Sequence, residues 1–210
     1  MVAAGAPVRV GSLFSGYGGL DFAVHEVFPD ARTVWVSDVC KVNKDGTVGH
    51  HKVCRAPCTI LAHRFPDAPN LGDITLIDWA TVEPVEILTL GFPCQDVSTA
   101  GKQAGLKPGT RSGLWSHAAY AISQLRPSLV FIENVRGLLN AEAHSDLESR
   151  PDLLDGLRRR GGEPVLRAAG AVLGDLADLW YDAEWVTVPA SGVGACHRRE
   201  RVFIAAHPRD

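Results

Sequence analysis

Short apolar runs rich in β-branched residues alternate along the chain with longer stretches of helical periodicity. The runs at residues 8–14, 33–37, 85–90, 129–133, 183–188 and 201–206 predict strands, with a shorter strand near residues 70–74. Between them, residues 20–27, 115–125, 153–160 and 168–179 predict helices, the last interrupted by Gly170 and Gly174. Pro127 ends one helix and Gly161-Gly162 another. Strands alternating with helices predict an α/β fold around a parallel sheet. Two stretches break the pattern. Residues 40–58 are polar and rich in Gly, His, Lys and Cys, and residues 140–151 are polar and acidic, as in a surface loop.

At 210 residues the chain suits one domain, 1–210, that buries about two-thirds of its unfolded surface. A net charge of -3 adds a constraint, because a domain that grips a long stretch of nucleic acid unaided is usually basic. Either the partner is not nucleic acid, or the basic contacts are local or come from elsewhere. No apolar run approaches the ~18 residues of a membrane span, and residues 1–7 lack the charged-then-apolar pattern of a signal peptide. The expected location is the cytoplasm, at the nucleoid if the chain acts on DNA. Five cysteines without a secreted-type framework point to reduced thiols. Cys40, Cys54 and Cys58 lie near His50, His51 and His63, yet Cys54-x3-Cys58 lacks a second close ligand doublet, so no metal site is expected.

The first predicted strand ends in Phe14-Ser15-Gly16-Tyr17-Gly18-Gly19-Leu20 before a helix. Glycines there let backbone approach a ligand at a helix N-terminus, although a plain tight turn reads the same way. Asp38, ending the second strand, suits ribose hydroxyls in a nucleotide-binding α/β fold, or is a solvated strand end. Asp73, in Gly72-Asp73-Ile74-Thr75, adds another acceptor. The strand at 85–90 runs into Gly91-Phe92-Pro93-Cys94-Gln95-Asp96-Val97-Ser98. Ligands of open α/β sheets bind beyond the carboxyl ends of strands, which puts Cys94 on a working edge. A lone cysteine is more often a buried hydrophobe, but Pro93 stiffens this turn and Gln95 and Ser98 add polar support. Residues 99–110, with Lys102 and Lys107, resemble a loop able to close over a substrate. Glu133, after an apolar run, is costly to bury unless partnered. It is either a helix-cap carboxylate or a carboxyl group held near Cys94 to hydrogen-bond or protonate a ring nitrogen. In His197-Arg198-Arg199-Glu200-Arg201, strand alternation puts Arg199 and Arg201 on one side, able to contact a carbonyl oxygen or phosphates.

Taken in this order, the segments resemble the DNA (cytosine-5) methyltransferase family. The glycine turn (Phe14, Gly16, Gly18, Gly19) is similar to its first motif, Asp38 to its ribose-binding acidic position, and Gly72-Asp73-Ile74 to its adenine-contacting motif. Residues 91–98 resemble the Pro-Cys-Gln nucleophile motif, with Pro93 also on the cofactor side, and residues 111–115, including Leu114, the next cofactor motif. Glu133-Asn134-Val135 resembles the catalytic glutamate motif, and residues 197–201 the Gln-x-Arg-x-Arg motif.

The resemblance implies a Rossmann-like methyltransferase fold, a mostly parallel seven-stranded sheet with helices on both faces. It implies S-adenosyl-L-methionine as cofactor and double-stranded DNA with a flipped cytosine as partner. Cys94 would attack carbon-6, Glu133 hold the N3 and N4 edge, and Arg201, supported by Arg199, hold O2. Departures exist. Asp38 stands where glutamate is more frequent, His197 and Cys196 replace a common Gln and Pro, and residues 40–58 form a longer link than usual. Relatives continue into a target recognition domain and ninth and tenth motifs, whereas only His207-Pro208-Arg209-Asp210 follow Ala206 here. The expectation is a catalytic domain that needs a second polypeptide for target recognition. A truncated inactive cofactor-binding homologue, a small-molecule thiol enzyme or nucleotide-binding module on the same sheet, and an enzyme of the related RNA-methylating branch are the alternatives.

Overall fold

The computed structural model describes residues 7–39, 57–93, 114–140 and 168–210. Its contacts divide the chain into two compact units, Met1–Gly91 with Tyr120–Ile132, and Phe92–Ala119 with Glu133–Asp210.

The first unit is built on parallel strands β1 (Arg9–Leu13), β2 (Arg32–Ser37) and β3 (Ile87–Leu90), with the start of β4 (Leu129–Val135), in the order β2-β1-β3-β4. Every residue of β3 is buried, as expected of a strand covered on both faces. Helix α1 (Gly19–Val27) buries Asp21 and Val24, and Val24 packs with Val10, Ala31 and Ile87. Helix α2 (Pro57–Arg64) contributes Leu61, which packs with Phe65 and Val36. Gly11 is obligatory in β1, since a Cβ there would lie 2.2 Å from the Trp35 ring. The β1–β2 register shifts between Val10 and Gly11, at the same crowded point.

Helix α3 (Leu114–Leu125) and β4 run through both units. The second unit adds helix α4 (Ala168–Asp178) and strands β5 (Tyr181–Pro189) and β6 (Glu200–Pro208), which pair antiparallel; the order is β4-β6-β5. Val172 and Leu176 of α4, Leu138, and Val202 and Ile204 of β6 are buried. Glycines 170 and 174 do not stop α4. Helix propensity costs about 1 kcal/mol per interior Gly, and a buried face outweighs it.

The fold is a mixed α/β sheet of six strands, in which β1 to β4 pair in parallel and β5 and β6 pair antiparallel. The short strand expected near residues 70–74 reduces to one bridge, Asn70 to Val36, followed by a 3-10 turn, Ile74–Leu76. Six strands, not seven, are therefore seen among the described residues. Helix α2 was not expected; its first two residues fall in the stretch whose Gly, His and Cys content masked any periodicity. The helix expected at 153–160 lies outside the described residues. No helix among the described residues is long and apolar enough to cross a membrane.

Candidate active site

In the first unit the glycine turn leaves the end of β1 through three residues of positive φ: Phe14 (52°), Gly16 (55°) and Gly18 (75°). A Cβ on Gly18 would come within 2.6 Å of the Phe65 ring, so only glycine fits both the dihedral and the space. Gly18 caps α1 without a side-chain bond, and its N–H donates to the Ser15 carbonyl at 2.7 Å. A Cβ at Gly19 would meet nothing within 4 Å, so the helix N-terminus opens outward.

Asp38 lies beside this turn. Its Oδ2 accepts the Gly16 N–H at 2.7 Å. Burial pushes its carboxyl above the usual carboxylate range, against the backbone hydrogen bonds from Gly16 and Val39. Asn70 braces the same strand end: Nδ2 donates to the Asp38 carbonyl at 3.1 Å, while Oδ1 accepts the N–H groups of Asp38 (3.1 Å) and Gly72 (3.0 Å). Asp73 is exposed and uses Oδ1 to cap its own 3-10 turn, accepting from Thr75 N (2.9 Å) and Oγ1 (2.8 Å), while Ile74 is buried.

Behind the turn lies a buried polar cluster. Asp21, 1% exposed, accepts Ser12 Oγ at 2.9 Å from β1 and Thr89 Oγ1 at 3.2 Å from β3. Burial pushes its carboxyl up, opposed by those two hydroxyl donors. Sequence reasoning missed Asp21 and Asn70. An acid in the first turn of an apolar-faced helix was the only signal for Asp21; nothing marked Asn70 among polar loop residues.

In the second unit β4 ends at Glu133-Asn134-Val135. Asn134 is buried and donates from Nδ2 to the Phe92 carbonyl at 3.2 Å, which ties the end of β4 to the turn leading into Pro93. The Phe92 ring packs against Trp115 with centroids 5.3 Å apart, and Trp115 Nε1 donates to Asp175 Oδ2 at 2.7 Å. Pro93 and Leu114 thus flank a well-anchored aromatic pair. Glu133 accepts Arg201 Nε at 2.7 Å in a partly buried ion pair. A second ion pair joins Arg136 to Glu200. Neighbouring residues of a strand point to opposite faces, so Glu200 and Arg201 reach back from β6 by different faces.

Arg199 departs from expectation. It precedes β6, is exposed and has φ of 24°, so the alternation expected to align it with Arg201 begins one residue too late. Its carbonyl and that of Arg198 instead accept the Ala190 N–H at 3.3 and 2.8 Å. Cys94 and the loop at 99–110 lie outside the described residues, as do Cys40, Cys54, His50 and His51. Among the described residues, no group of three His, Cys, Asp or Glu side chains could hold a metal.

The model of the C-5 cytosine-specific DNA methylase family matches residues 8–210. The chain belongs to this family. It is 28% identical over 149 residues to the Type II methyltransferase M.NgoBV of Neisseria gonorrhoeae, covering 71% of this chain and 31% of that protein. With the Type II methyltransferase M.AquIA of a Picosynechococcus strain it shares 28% identity over 206 residues, 93% of this chain and 70% of that one. This C-5 methylase chain spans about a third of the length of the first curated relatives it matches. Its fold is similar to that of the Dnmt2 methyltransferase of S. pombe, with a TM-score of 0.61 and 16% identity over 96% of this chain and 51% of that one.

Proposed function

We propose that this C-5 methylase chain transfers a methyl group to carbon-5 of a cytosine in double-stranded DNA, with Cys94 as nucleophile. The observation that carries the reading is the Glu133–Arg201 pair, a carboxylate and a guanidinium held 2.7 Å apart on neighbouring segments of one unit. Cytosine presents its exocyclic amine, N3 and O2 in a row along one edge of its ring. A carboxylate beside a guanidinium matches that edge.

Carbon-5 of cytosine is a weak nucleophile. Addition of the Cys94 thiolate to carbon-6 breaks the aromatic system and moves an electron pair toward carbon-5. Glu133 hydrogen-bonds the N3 and N4 edge, where charge would otherwise accumulate, and Arg201 holds O2. After methylation the carbon-5 proton leaves, the ring double bond re-forms, and Cys94 departs with its electron pair. Asn134, by fixing the Phe92 carbonyl, sets the strand-end turn from which Cys94 follows two residues later. The pair needs access to the whole edge of the base, which requires the base to leave the stack at a cost of a few kcal/mol.

S-adenosylmethionine would supply the methyl group as an electrophilic sulfonium. The residues present fit it. The positive-φ turn at Gly16 and Gly18 brings backbone N–H groups to an open helix N-terminus, and Asp38 sits beside them as an acceptor. By motif position alone, Phe14, Gly19, Asp73, Ile74, Pro93 and Leu114 are also assigned to the cofactor. Asp38 already accepts from Gly16, so ribose would share this carboxylate. Arg199 is assigned a supporting role to Arg201 by motif position.

Target recognition is assigned to a second polypeptide, consistent with a net charge of -3 on a chain whose substrate is a polyanion. The test is methyl transfer from labelled S-adenosylmethionine to duplex DNA, with and without a recognition domain added in trans. Transfer that depends on the added domain is expected. Robust sequence-specific transfer by the chain alone contradicts partner dependence, and no transfer under either condition contradicts the enzymatic reading.

A further inference from the structure

The glycine turn is held from a side that none of its motif residues explains. Arg64, the last residue of α2, donates from Nη1 to the carbonyl of Tyr17 between the two left-handed glycines. Its guanidinium lies 4.9 Å above the centre of the Phe22 ring in α1, and Phe22 stacks on Phe65 with centroids 5.4 Å apart. Phe65 is also the residue that fills the space a Cβ on Gly18 would need. On the other side of the turn the Asp38 carboxylate takes the N–H of Gly16. An acid therefore fixes one peptide of the turn by its donor, and a base fixes the next residue's peptide by its acceptor.

We propose that Arg64 is a positioning residue for the S-adenosylmethionine turn, holding Tyr17 and Gly18 so that the N-terminus of α1 stays open to the cofactor. This rests on the cofactor assignment above. Glycines with positive φ have many accessible conformations, and a turn containing two of them keeps one shape only if its peptides are tied. A charge-assisted bond to a carbonyl is directional and strong enough to do so. The adjoining cation–π contact keeps the guanidinium over Phe22 instead of in solvent. A turn held before the ligand arrives loses less entropy when the ligand binds.

The test compares wild type with Arg64→Met and Arg64→Lys. Methionine keeps the apolar stem over Phe22 and removes the donor; lysine keeps a donor. Binding of S-adenosylhomocysteine by calorimetry should weaken about tenfold in Arg64→Met and recover most of its strength in Arg64→Lys. Thermal midpoints should agree within a few degrees, since the side chain is exposed. Amide exchange provides a readout free of cofactor. The Gly18 N–H should exchange roughly tenfold faster in Arg64→Met, while β1 amides stay unchanged. Equal Gly18 exchange in wild type and Arg64→Met overturns the proposal, as does equal cofactor binding. If wild type does not bind S-adenosylhomocysteine while Gly18 exchange still depends on Arg64, the cofactor assignment fails and the clamp survives as a purely structural one.

Discussion

Asp21 is the residue whose environment contrasts most with its chemistry. A carboxyl group 1% exposed, facing two hydroxyls and no cation within hydrogen-bonding distance among its bonded partners, is more costly to ionise than in water. Its folded-state pKa is raised. An acid of this kind contributes most stability when both states are protonated, and that contribution falls as pH rises from the unfolded value of about 3.9 through the raised folded value. Asp21→Asn keeps the shape and removes the titration. The variant should therefore gain stability relative to wild type as pH rises from 4 to 8, measured by urea denaturation at several pH values. A difference independent of pH would contradict this. Gly18 and Phe65 show what sequence could reveal at this scale. The glycine pattern was legible because its backbone demand is written in residue type. The ring that enforces it lies 47 positions away and was not legible.

Among the elements, β-rich runs and helices were legible wherever a buried face set the period. Helix α4 shows how far that holds, because Gly170 and Gly174 sit within it and Val172 and Leu176 still carry it into the core. Its end is less favourable. Trp180 follows in a left-handed conformation, φ 65°, with its N–H on the Ala177 carbonyl and its side chain 68% exposed. Glycine is the usual residue there, because a Cβ in that conformation costs roughly 1–2 kcal/mol. Trp180→Gly should raise the midpoint of urea denaturation by the equivalent of about 1 kcal/mol, with an unchanged slope. An unchanged or lowered midpoint means that the indole makes a contribution that outweighs the strain. Where expectation and structure diverged, tertiary context decided. Asn70 pairs with Val36 at a single bridge instead of a strand, because Asp38 and Gly72 take up its side chain. Arg199 leaves the expected alternation because the backbone before β6 closes on Ala190.

Across the whole molecule, the residues assigned to the cofactor and those assigned to the base fall largely into separate compact units: the glycine turn, Asp38 and Asp73 in the first, Glu133 and Arg201 in the second. Their order along the chain was legible as a series of motifs, and the family model matches residues 8–210. What one sequence could not supply was pairing. Glu133 and Arg201 are 68 positions apart, and no local pattern announces that their side chains meet at 2.7 Å. In the proposed reaction that pair acts on the same base as the Cys94 nucleophile. The most direct test incubates the chain with S-adenosylmethionine, a recognition domain in trans and duplex DNA carrying 5-fluorocytosine at the target. Fluorine on carbon-5 cannot leave as a proton does, so the enzyme–DNA bond should persist under denaturing conditions. An adduct is expected, mapped by mass spectrometry to Cys94 and lost in Cys94→Ala. Methylation of ordinary DNA without such an adduct, or an adduct at another residue, would contradict it.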